Sequence, residues 1–141
     1  MKAAALLFLR VSVALLIIFW GIDKIVDPAH GLAVSDRFYR GLLSFPGLMP
    51  AMGVAQVAVG LLALVGLFRR VADPIVALLN LGSMLGVWRS IVDPWGWFLE
   101  GTNVLFFPSL TVLAASILLM LVHEDEHFVL DRRLRRKHGT P

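Results

Sequence analysis

Trp88-Arg89-Ser90-Ile91-Val92-Asp93-Pro94 closes a long apolar run, and Ile22-Asp23-Lys24-Ile25-Val26-Asp27-Pro28 closes an earlier one. The Ile-Val-Asp-Pro core is identical in both, and the two copies lie 66 residues apart. On that offset Asp23 stands opposite Arg89 and Lys24 opposite Ser90, so one copy brings an acid where the other brings a base. The chain is read as a small membrane bundle built around these two helix ends.

Composition supports a membrane setting. Hydrophobic residues make up 58% of the chain, against about 45–50% in soluble domains, and mean hydropathy is +0.81. The 141 residues leave room for one compact unit, taken as a single membrane domain over 1–141. A net charge of +3 would suggest nucleic acid in a soluble chain. Here the basic residues flank apolar runs, so membrane orientation and anionic lipid explain them and no nucleic-acid partner is expected. The absence of cysteine removes disulfides, thiolate metal sites, thiol nucleophiles and dithiol relays.

The apolar runs predict an all-α polytopic protein, a four-transmembrane-helix up-down bundle with spans at about 3–22, 51–68, 75–92 and 103–122. The first run is read as a retained span, because Arg10 interrupts it and no small-x-small cleavage site follows before Asp23. Only twelve residues separate Arg10 from Asp23, whereas a crossing needs about 20. One of these charged positions must therefore lie within the membrane or snorkel out of it. Ser35 to Leu43 suggests a short interfacial helix capped by Ser35, with Phe38 and Leu42 on one face. Arg69-Arg70 and Asp73-Pro74 read as a tight turn into the third span. There Gly82, Gly86 and Arg89 share a helical face, which points Arg89 into the bundle by the small-residue packing rule. Pro108 should kink the fourth span or mark a tightened first turn.

Eight basic residues, Lys2, Arg69, Arg70, Arg132, Arg133, Arg135, Arg136 and Lys137, fall on one side, against Lys24, Arg37, Arg40 and Arg89 on the other. The positive-inside rule then predicts a bacterial inner-membrane protein with both termini and the basic tail, 123–141, in the cytoplasm. All four tryptophans sit on the opposite side.

Arg10 in the first span, Gly21-Ile22-Asp23-Lys24, Asp27-Pro28, and the glycine-rich stretch Gly53 to Gly66 leading to Arg69-Arg70 resemble the DoxX-like family of small four-helix membrane proteins. The family takes its name from a membrane subunit of thiosulfate:quinone oxidoreductase, and related members accompany soluble redox enzymes at the membrane. The resemblance implies a redox-associated subunit with a quinone as possible ligand and no covalently bound cofactor. Cysteine pairs used by some relatives are missing here.

The candidate site is an outer charged cluster. Asp23, Lys24, Trp88, Arg89, Glu100 and Asn103 are the candidate ligand-binding residues, able to hold a quinone head group or small anion. The same cluster has a structural reading, in which Asp23 and Arg89 form an ion pair locking the first and third spans, since charges inside a span favour pairing. Arg10 either snorkels to inner-leaflet phosphates or contacts Asn80. His123-Glu124-Asp125-Glu126-His127 matches H-E-x-x-H, the zinc-protease pattern, but has no third ligand or cleft, so no metal site and no catalytic residue is expected. The basic tail offers anionic lipid or a soluble partner a surface.

Two functions follow. One is an accessory or anchor subunit of a redox assembly, binding a quinone or partner near the outer interface; it is not an enzyme on its own, though it would serve as the membrane subunit of an oxidoreductase. The other is a small-solute carrier or channel formed by oligomerisation. Partners expected in either case are the bilayer, other membrane or soluble subunits, or further copies of the chain.

Overall fold

A computed structural model describes residues 1–45, 47–122 and 129–131. The H-E-x-x-H segment and the basic run of the tail lie outside the described residues. Among those described there is only helix: α1 (Lys2–Val26), α2 (Pro28–Tyr39), α3 (Leu48–Val65), α4 (Arg69–Gly86), α5 (Trp88–Val92), a 3₁₀ turn (Val104–Phe106) and α6 (Pro108–Leu121).

Three stretches are long and apolar enough to cross a membrane, Lys2–Val26, Leu48–Val65 and Val104–Leu121. The expected fourth, α4, has the same 18-residue length as α3 but is too polar by composition. It carries Arg69, Arg70, Asp73 and Asn80. Of these, Arg69, Asp73 and Asn80 are buried, spaced to fall on one helical stripe. That stripe faces the bundle: Arg69 pairs with Asp73 at 3.1 Å and donates to the Leu119 carbonyl, and the Asn80 amide donates to Ser116 at 2.8 Å.

The most extensive helix contact is α1 against α3, followed by α4 against α6. Glycine permits the first. A Cβ at Gly53 would lie 2.6 Å from the Gly21 carbonyl oxygen, and one at Gly21 would lie 2.9 Å from that of Gly53. The two backbones therefore touch directly, as small residues allow in membrane bundles. Around this seam Val13, Ala14, Ile17, Ala63, Val76 and Leu119 form the core.

The repeat in the sequence is a repeat in the backbone. Asp27 has φ −129° and ψ 75°, and Asp93 has φ −133° and ψ 75°. Each donates its N–H to the carbonyl four residues back, of Asp23 at 2.8 Å and of Arg89 at 2.9 Å. In each copy the following proline drives the aspartate out of the helical region and stops the helix. The paths then diverge. Asp27 caps α2 by accepting from the His30 N–H at 3.1 Å, with Pro28 in the first turn. The Asp93 carboxylate instead gathers the backbone N–H groups of Trp97, Phe98 and Leu99 at 2.6–3.0 Å, and no helix forms until residue 104.

Three local expectations change. The short helix between the first two long ones starts at Pro28 rather than near Ser35; Ser35 is buried within it, and its hydroxyl accepts from the Leu43 N–H. Arg69, Arg70, Asp73 and Pro74 lie inside α4, and the turn before it is made at Gly66 and Phe68, both with positive φ. The third apolar run is broken at Val87 (φ −104°, ψ 20°), so α5 does not continue the face carrying Gly82 and Gly86. Pro108 occupies the first turn of α6 behind a 3₁₀ turn, the tightened start expected for it.

Candidate functional site

The helices leave a cavity of about 600 Å³ between α1, α2, α3, α4 and the start of α6, within the roughly 300–1,000 Å³ usual for small-molecule sites. Its walls are mainly apolar, with Leu16, Ile17, Val34, Phe38, Met52 and Leu79 contributing. α2 forms one side because Asp27-Pro28 turns the chain back on itself: Gly31 approaches Met49 so closely that a Cβ there would be 3.0 Å from its sulfur. Tyr39, at the far end of α2, donates to the Gly82 carbonyl at 3.2 Å and lies flat on Gly86, whose Cβ would meet the ring at 2.7 Å. Burial pushes the Tyr39 phenol above its ordinary range, outweighing a hydrogen bond with Ser83 that pulls the other way; the phenol is a neutral donor. Gly82 itself faces open space. Thus the Gly82/Gly86 pair of the sequence receives a tyrosine and gives room to a cavity, and does not seat a long helix.

Polar groups collect at one end, where Trp20, Asp23, Lys24 and His30 line the cavity. His30 Nδ1 is 2.8 Å from Asp23 Oδ2. Trp20 stacks near the imidazole at 6.4 Å between ring centroids. Lys24 donates to the Trp20 carbonyl at 3.2 Å, and its ammonium lies 5.8 Å from the centre of the Trp20 ring. Deeper in, Gln56, Ser83 and Ser109 add scattered polar atoms. Toward the Arg10 end of α1 the core cluster of Val13, Ala14, Ala63, Val76 and Leu119 follows in sequence on every contributing helix.

No family model, curated protein or solved structure matches the chain.

Of the six residues expected at the site, Asp23 and Lys24 line the cavity, and Trp88, Arg89, Glu100 and Asn103 are outside its lining. Arg89 is exposed, with its guanidinium 5.9 Å from the Trp88 ring centre. Asn103 serves the loop: its side chain accepts from the Leu105 N–H, and its own N–H donates to Ser90. Glu100 sits exposed in the turn before it. The expected Asp23–Arg89 ion pair is not present among the described residues. Asp23 takes His30 instead, which the Asp-Pro turn delivers seven residues later, while the break at Val87 removes Arg89 from the inward face. Arg10 is buried, with its guanidinium against Gly66 at the α3–α4 turn, and does not reach out to lipid phosphates. Asn80 spends its amide on Ser116.

Sequence reasoning missed His30 and Tyr39. The signal for His30 was present: it is the one histidine among the described residues, three residues after a capping aspartate, which places it in a first helical turn facing the end of the preceding helix.

Proposed function

We propose that the chain is a four-helix protein of the bacterial inner membrane, akin to the DoxX-like proteins, that holds a quinone-type amphipathic ligand as the accessory subunit of a redox assembly. Both termini lie in the cytoplasm in this reading, and the mouth bearing Asp23 and His30 faces outward. α4 crosses with the three apolar helices because its polar stripe is turned inward onto α6. The observation that carries the proposal is the cavity: mainly apolar walls, about 600 Å³, and the charged pair Asp23 and Lys24 together with His30 at one end. This is the shape that an aromatic head with an apolar tail requires. The core beyond its inner end argues for a binding site in preference to a through-channel.

The test is quinone titration into protein in lipid nanodiscs, followed by tryptophan fluorescence, since Trp20 lines the site. Wild type should show saturable quenching by a short-tail quinone. Gly82→Phe, whose side chain would grow into the cavity from a position with no atoms within 4 Å, should abolish it. Absence of saturable binding by the wild type would refute the proposal, as would undiminished binding by the filled variant.

A further inference from the structure

The mouth of the cavity holds an imidazole fixed from three directions. Its backbone N–H is tied to Asp27 Oδ1 at 3.1 Å, its ring is stacked near Trp20, and its Nδ1 meets Asp23 Oδ2 at 2.8 Å. An ionised carboxylate only accepts hydrogen bonds, so Nδ1 must carry the hydrogen in that contact. In the neutral ring the other nitrogen, Nε2, then presents a lone pair. Nε2 has no hydrogen-bond partner among the described residues, and the His30 side chain is 46% exposed at the cavity edge. Beside it Lys24 offers the opposite polarity, an ammonium with hydrogens to give.

We infer that Asp23 and His30 select a hydroxyl-bearing aromatic head group at the mouth of the cavity, with the Nε2 of the neutral His30 ring accepting the hydroxyl hydrogen and Asp23 acting as the positioning residue that holds that ring in the tautomer with its hydrogen on Nδ1. The inference rests on the cavity being a ligand site and adds the polarity of the head it takes. A phenolic hydroxyl both donates and accepts, so it satisfies His30 and Lys24 together. A carbonyl or ether oxygen only accepts, so it can answer Lys24 and leaves the Nε2 lone pair facing nothing. At this end the site therefore favours a ring in its hydroxyl form over the same ring in its carbonyl form. Trp20, lining the same mouth, gives an aromatic head a flat surface to lie against.

The probes are 4-decylphenol and its methyl ether, which share tail and ring and differ in the hydrogen that His30 would accept; neither needs a redox partner. Binding is measured by calorimetry with the protein in nanodiscs, in mildly alkaline buffer. The phenol should bind about tenfold more tightly than the ether, the worth of one hydrogen bond to a strongly polarised acceptor. His30→Phe, which keeps a ring near Trp20, should bring the phenol to the level of the ether. Asp23→Ala should reduce the preference several-fold, and the imidazole nitrogen NMR shifts should report loss of the Nδ1-protonated tautomer, a change that a merely structural aspartate would not produce. Equal binding of the two probes by wild type would overturn the selection by Asp23 and His30 while leaving the cavity as a ligand site. A preference that survives His30→Phe would do the same. Binding of neither probe would overturn both.

Discussion

Replacing Gly53 with alanine tests whether direct backbone contact between α1 and α3 holds the bundle. The added Cβ would lie 2.6 Å from the Gly21 carbonyl oxygen, 2.8 Å from Ile25 Cγ1 and 3.1 Å from Lys24 Cβ. Comfortable carbon–oxygen contact begins at about 3.3 Å and carbon–carbon contact at about 3.5 Å. The two helices must therefore separate locally by roughly 0.7 Å. A gap of about 0.5–1 Å forfeits a quarter to a half of the dispersion well for each atom pair across it, and overpacking of this kind costs about 1–3 kcal/mol. Alanine returns at most about 1 kcal/mol of helix propensity, so from a mid-range overpacking cost of about 2 kcal/mol the net loss should be about 1 kcal/mol or more. Gly82→Ala is the control, because it gains the same propensity and its Cβ meets nothing within 4 Å. It should be neutral or slightly stabilising. Unfolding by increasing SDS in mixed micelles, followed by helical circular dichroism, measures both variants against wild type. The reasoning fails if Gly53→Ala unfolds with the wild type, or if the two alanine variants shift together.

Two further outcomes follow from other contacts. Burial alone would raise the Asp93 pKa, but the N–H groups of Phe98, Leu99, Trp97 and Gly96 outweigh it and hold the carboxyl below its ordinary value of 3.8. Its stabilising effect is complete above about pH 4 and is lost as pH falls through the lowered folded pKa; in acid unfolding curves, Asp93→Asn should show less stability loss than wild type below pH 4. Asp131 accepts from the Phe68 and Arg69 N–H groups at 3.1 and 3.0 Å, capping α4 from a distant part of the chain. Asp131→Ala should cost about 1 kcal/mol and raise hydrogen exchange at residues 68 and 69, with no such rise at the Tyr39–Gly82 contact.

The long helices were legible because apolar runs of this length bounded by charge have few other readings. The Asp-Pro repeat was legible as a sequence, and the structure adds the matching backbone angles at its two aspartates, since proline acts on the residue before it wherever it falls. Two residues of the cavity lining, Asp23 and Lys24, were singled out as charges at the end of an apolar run, but the neighbours assigned to them came from treating residues 75–92 as one straight helix. A single non-helical residue, Val87, undoes that register and carries Arg89 outward. The cavity depends on α2 folding back over α1 and α3, a tertiary event that leaves only Gly31 and Ser35 as faint marks. α4 was taken for an ordinary span by length, and its buried stripe shows why composition alone ranks it apart from the other three.

That stripe bears on the order in which the fold can close. Arg69 has Asp73 within α4, but Ser116, the Leu119 carbonyl and the capping Asp131 lie C-terminal to α4 and emerge from the ribosome later. α4 is thus synthesised before the Leu119 carbonyl and Ser116 that its inward stripe bonds, so that stripe closes only when α6 arrives. A chain halted before residue 108 would retain both sides of the Gly21–Gly53 seam while the Asn80 amide lacked Ser116, so the last helix to be made is the one that completes the polar interior of α4.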